Sequence, residues 1–174
     1  MFRSTREPCE LSPTASFGLY LHFYAQRVGL SETVLAEFAR MNQSTLNKIT
    51  NIARHGVSVD TLVCLCLALG LTEEEAMDLM ARKERTFSPA DPRHTALLEL
   101  IRIYAEKEID YTVDRVTRST LLDDADAYLI ERGFAPFPTA IFRRKAGAAV
   151  PVRADAAKKN RGNQVEGKVI PFWN

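Results

Sequence analysis

The chain has 174 residues, 46% of them apolar, and a formal net charge of +1, enough apolar content for a packed core of fair size. It holds no apolar run long enough to span a bilayer, and its start, MFRSTREPCELSP, lacks the apolar segment of a signal peptide, so the expectation is a cytoplasmic protein with no membrane partner. Cys9, Cys64 and Cys66 are odd in number, and the last pair lies on an expected helix pointing to different sides, which argues against a disulfide framework or a zinc site and for buried free thiols.

Residues 1–12 read as a flexible arm, and Ser12 with Pro13 offers an N-cap and a first-turn proline for a first helix. Phe17, Leu21, Tyr24 and Val28 recur at helical spacing as its core stripe. Tyr20 and Phe23 lie off that stripe, as extra core or as an exposed aromatic patch. A short second helix opens at Ser31, turns Leu35, Phe38 and Ala39 inward, and ends in a corner at Arg40. Asn42 suits the N-cap of a third helix, its side chain accepting from an amide near Ser44 or Thr45. This helix is expected to run to about Ala53 with Leu46, Ile49 and Ala53 inward. Its other face carries Gln43, Ser44, Asn47, Lys48 and Asn51. Asn and Gln match adenine edges, Lys reaches guanine or phosphate, and Ser serves either, so this face holds a usable set of base-reading groups. Arg54 follows in a loop with His55 and Gly56, placed to meet a phosphate.

Ser58 caps a fourth helix, VDTLVCLCLAL, which is apolar nearly all round, ends at Gly70, and therefore requires cover on several sides. Thr72 and Glu75 form a capping box for a fifth helix, and Glu73–Glu75 complement its dipole rather than bind a metal. The prolines of RTFSPADPRH precede a sixth helix with Leu97, Leu100, Ile101 and Tyr104 buried. Thr112 is expected to cap a further helix with Val113, Val116, Thr117, Thr120 and Leu121 on one face, and residues 122–132 a last one ending at Gly133. Residues 134–174 read as a basic, mostly disordered tail, with an apolar VIPFW at 169–173 suited to docking on this chain or on a partner.

Charge divides along the same lines. Residues 17–57 hold four bases and two acids, residues 58–133 nine bases and sixteen acids, and residues 134–174 eight bases and two acids. Only the first and last stretches suit a polyanion.

The order FGLYLHFYAQRVGLS (17–31), LAEF (35–38), STLNKI (44–49) and DTLVCLCLALGL (60–71) resembles the Cro and lambda-repressor type of helix-turn-helix regulator over about residues 16–71. The resemblance implies an all-α, lambda-repressor-like helix-turn-helix bundle over residues 13–71, here extended by an added helical layer over residues 72–133. It implies a sequence-specific regulator, a repressor by type, that binds double-stranded DNA as a homodimer on near-palindromic sites. Gln43, Ser44, Asn47 and Lys48 would then read bases, with Thr45, Asn51 and Arg54 on the backbone. The chain departs from the family pattern at Arg40, where Gly or Asn is usual because the corner wants positive φ, and at Glu32, where Gln often meets a phosphate. These departures and the acidic remainder support an alternative, a protein-interaction module such as an adaptor or antitoxin-like partner that retains the fold without DNA reading. Its protein partner would bind the added layer or residues 169–173. No phosphate-cradling glycine loop, paired metal ligands or nucleophile with a base is visible, so no catalytic residue, metal or cofactor is assigned and the chain does not read as an enzyme.

Overall fold

The computed structural model describes residues 10–139, and among these the chain is all-helical. Its helices are α1 (Phe17–Arg27), α2 (Glu32–Phe38), α3 (Gln43–Asn51), α4 (Val59–Leu69), α5 (Glu73–Ala81), α6 (Pro92–Glu106), α7 (Arg115–Arg118) and α8 (Asp123–Glu131). The arm before Glu10, most of the expected tail, and the docking segment 169–173 lie outside the described residues.

The starts of these helices follow from local chemistry. Ser31, Ser58 and Thr72 each accept an amide of the first turn, and Glu75 returns a bond to the Thr72 amide to complete the capping box. Asp91 caps α6, with Pro92 in its first turn, where the missing N–H costs nothing. The first helix starts later than its sequence suggests. Ser12–Ala15 closes a turn, with the Ala15 amide donating to the Ser12 carbonyl, and Ser16 is the residue that caps α1.

Among the described residues the apolar helix α4 is central, packed by α2, α5 and α6. Every residue from Leu62 to Leu69 is buried, and Gly70 closes the helix at φ 60° as a left-handed C-terminal residue. On one flank α1, α2 and α3 pack together, with Phe17, Leu21, Tyr24, Leu35, Phe38, Leu46 and Ile49 in the shared core. Tyr20 is buried as well, under the Arg82 guanidinium, whereas Phe23 and Val28 are partly buried. On the other flank Leu97, Leu100, Ile101 and Tyr104 of α6 cover α4, as their spacing predicts.

Two elements differ from expectation. Where a capped helix from Thr112 was expected, α7 is a single turn capped by Asp114, with no buried residue and Val116 75% exposed. Thr112 instead donates to the Asp110 carboxylate, a local side-chain turn that competes with helix. The second is Phe137, which is fully buried, so the packed unit extends past the boundary drawn at Gly133. The Phe137 amide donates to Asp126 Oδ1 at 2.8 Å, which ties the strand of chain after α8 back onto it.

Candidate functional site

The polar face of α3 is built by three constraints from beneath. Leu46 and Ile49 are buried against α1 and α2, which fixes the rotation of the helix about its axis. Gly18 allows α1 to approach closely, since a Cβ there would stand 2.8 Å from the Thr50 carbonyl oxygen. The third constraint is the α2–α3 corner. Arg40 has φ 55°, and the Met41 and Arg40 amides donate to the carbonyls of Ala36 and Glu37 at 2.9 and 3.2 Å. That pair of bonds is a Schellman turn, whose left-handed position usually holds glycine.

With the helix so fixed, Gln43, Ser44, Asn47, Lys48 and Asn51 are all exposed on one side, Arg54 is exposed in the loop beyond, and Thr45 is half-buried. The Asn51 side-chain amide donates to Asn47 Oδ1, which ties the two exposed side chains together. Asn42 holds the N-cap backbone position, and the Leu46 amide donates to its carbonyl, but its side chain makes no cap bond, contrary to the expected capping role. No Asn42 side-chain bond therefore covers the first-turn amides of α3. At the other end α3 stops at Asn51, short of Ala53. Ile52 turns to ψ 104° and Ala53 leaves the helical register, so Ala53 is exposed instead of facing the core.

Arg40 is the residue whose role the sequence does not reveal. It is only 2% exposed, and its guanidinium reaches across to α8 and the residue Ser119 ahead of it. Nε donates to the Ser119 carbonyl at 3.0 Å, one terminal nitrogen to Asp126 Oδ2 at 2.5 Å and the other to Asp123 Oδ1 at 2.7 Å. A left-handed non-glycine residue costs about 1 kcal/mol, and three charge-assisted bonds from a buried guanidinium offset it. Asp123 and Asp126 are three apart on α8 and so share a face, a matching acidic pair that is the available sequence signal for a buried arginine. On the adjoining turn of α2, Glu37 pairs with Arg118 at 2.7 Å and with Arg115 at 3.4 Å.

Lys83, just after α5, closes the exit of α3. Its Nζ donates to the Ile52 carbonyl at 3.1 Å and lies 5.2 Å from the centre of the Phe17 ring. A cation at the negative end of the α3 dipole is favourable, although burial holds the Lys83 pKa below the usual lysine value.

These internal pairings change the charge available for binding. Of the four bases in residues 17–57, Arg40 is consumed by α8 and Arg27 by Glu75 at 2.5 Å, whereas Lys48 and Arg54 remain exposed. The carboxylate of Glu32 stays on the surface at the start of α2.

Cys64 and Cys66 are free and fully buried, and burial pushes the Cys64 thiol up to about 12, so it stays protonated. Among the described residues no group of His, Cys, Asp and Glu is arranged to hold a metal ion, and no helix is long and apolar enough to cross a membrane. Comparison of the chain with family models, with curated proteins and with solved structures finds no match in any of the three.

Proposed function

We propose that the protein is a sequence-specific DNA-binding regulator that reads the major groove with α3. The observation that carries this reading is the exposed row Gln43, Ser44, Asn47 and Lys48 on a helix held from below by Leu46 and Ile49. Such a helix, short and preceded by a tight corner, fits the width of the major groove, and its first turn and a half reaches base edges. Gln43 and Asn47 supply two-point contacts to bases, Ser44 an adaptable hydroxyl, and Lys48 a guanine or phosphate contact. The amides of α3 not bonded by Asn42 supply donors for a backbone phosphate. Thr45, Asn51 and Arg54 position the duplex, Asn51 partly through its bond to Asn47. Binding as a homodimer would place two such helices about one DNA turn apart.

One observation favours a second reading, a protein-interaction module of the same fold. With Arg27 and Arg40 paired internally, Lys48 and Arg54 are the exposed bases of residues 17–57 and Glu32 is exposed as well, a modest positive balance for a DNA-binding face. Selection of bound genomic fragments by the purified full-length protein separates the two. Enrichment of one inverted-repeat motif supports DNA reading. Recovery of random fragments only, at any salt, contradicts it and favours the interaction module.

A further inference from the structure

The two ends of α3 are each held by a cation whose partner lies elsewhere in the fold. At the entrance, Arg40 bonds Ser119, Asp123 and Asp126. Asp126 in turn bonds the Phe137 amide with its other oxygen, so the corner before α3 is joined through one carboxylate to the buried Phe137. At the exit, Lys83 takes the Ile52 carbonyl.

From this geometry we infer that Arg40 and Lys83 are positioning residues for α3, and that the helices after residue 72 act as the cradle that sets the pose of its polar face. The strut stands on the contacts themselves, and its consequence for base reading rests on the proposal that α3 reads DNA. Arg40 shows the role most clearly. A glycine at that corner would adopt the left-handed backbone without strain, so a side chain there serves a purpose other than the turn. The guanidinium fork also fits two carboxylates in a fixed direction, which an ammonium would not do. Because Asp123 and Asp126 lie on α8, a shift or fraying of α8 loosens the corner before α3 directly.

The test is amide hydrogen exchange on the full chain without DNA, comparing the parent with Arg40→Gly, Asp126→Asn, Lys83→Met and a control, Asp124→Asn. Arg40→Gly keeps the turn and removes the strut, and Asp126→Asn keeps an acceptor for the Phe137 amide while removing the charge facing Arg40. Lys83→Met keeps the apolar stem, and Asp124 pairs with Lys107 on the outside of the same helix. Exchange in Arg40→Gly and Asp126→Asn should rise on the order of tenfold or more at the bonded amides of Met41 and Leu46, with α4 and α6 unchanged, as local opening requires. In Lys83→Met the rise should fall at residues 48–52, and Asp124→Asn should match the parent. Uniform acceleration through α4 and α6 would show a general stabiliser and overturn the inference, and so would unchanged exchange at α3. Should Arg40→Gly fail to fold, Asp123→Asn, whose carboxylate is 43% exposed in the parent, provides the milder loss of the same strut. Since exchange is read without DNA, failure of the DNA-reading proposal leaves this result separately interpretable.

Discussion

A methyl group at position 18 would meet the Thr50 carbonyl oxygen at 2.8 Å and the Thr50 methyl at 3.2 Å. The first of these is backbone, so relief requires α1 and α3 to move apart. Alanine gains about 1 kcal/mol of helix propensity over glycine, while overpacking costs about 1–3 kcal/mol. Gly18→Ala should therefore lower the urea midpoint, and a variant more stable than the parent would show that the two helices have room to spare. The sequence signals at this scale were uneven. Positive φ at Arg40 follows from its place in the corner, and the exposure of Gln43, Ser44, Asn47 and Lys48 from helical spacing. The destination of the Arg40 side chain does not follow, because Asp123 and Asp126 lie more than eighty residues away along the chain. Asn42 shows the reverse failure, since a residue type suited to capping takes the cap backbone without making the side-chain bond.

At the scale of elements, the helix starts at Ser31, Ser58 and Thr72 were legible because each cap is local chemistry within four residues. The buried faces of α4 and α6 were legible from composition and periodicity. The turn-length α7 was not, because Val113 and Val116 follow helical spacing, but Val113 lies ahead of the turn and packs on the core while Val116 within it is exposed. The capping box of α5 also predicts a pH response. Burial alone would raise the Glu75 carboxyl, but hydrogen bonds from Arg27 and from Thr72 outweigh it and hold the pKa below its ordinary 4.5. A carboxyl depressed in the folded state contributes stability that is present above 4.5 and is lost as pH falls through the folded value. Glu75→Gln should therefore unfold more easily than the parent at neutral pH by about 1–2 kcal/mol. The gap between their urea midpoints should close as pH falls below 4.5 and through the lower folded value. A gap that persists undiminished at low pH would place the effect in packing rather than in the charge.

For the molecule as a whole, the buried Phe137 sets where the chain can be cut. Ending the protein after Gly133 removes that ring and the bond from its amide to Asp126, a loss of about 3–5 kcal/mol by analogy with emptying a core aromatic site. Ending it after Phe142, the limit of the compact unit, should leave the melting transition close to that of the full chain. Equal stability of the two truncations would contradict the assignment of Phe137 to the core. In the longer truncation, Lys48 and Arg54 are the exposed bases of residues 17–57. The slope of log affinity against log salt should then be about −2 per protomer. The full chain should be steeper, through Arg143, Arg144, Lys145, Lys158, Lys159 and Arg161. Identical slopes would mean that these tail residues meet no phosphate. Base reading by α3 is measured by titrating the parent, Gln43→Ala, Asn47→Ala and Arg54→Ala, each shown to be folded, against a selected duplex and a scrambled one at a single salt concentration. The Gln43 and Asn47 variants should lose about 1–3 kcal/mol on the selected duplex and little on the scrambled one. Arg54→Ala should weaken both about equally. If the Gln43 and Asn47 variants bind both duplexes like the parent, α3 does not read bases and the DNA-reading account is contradicted.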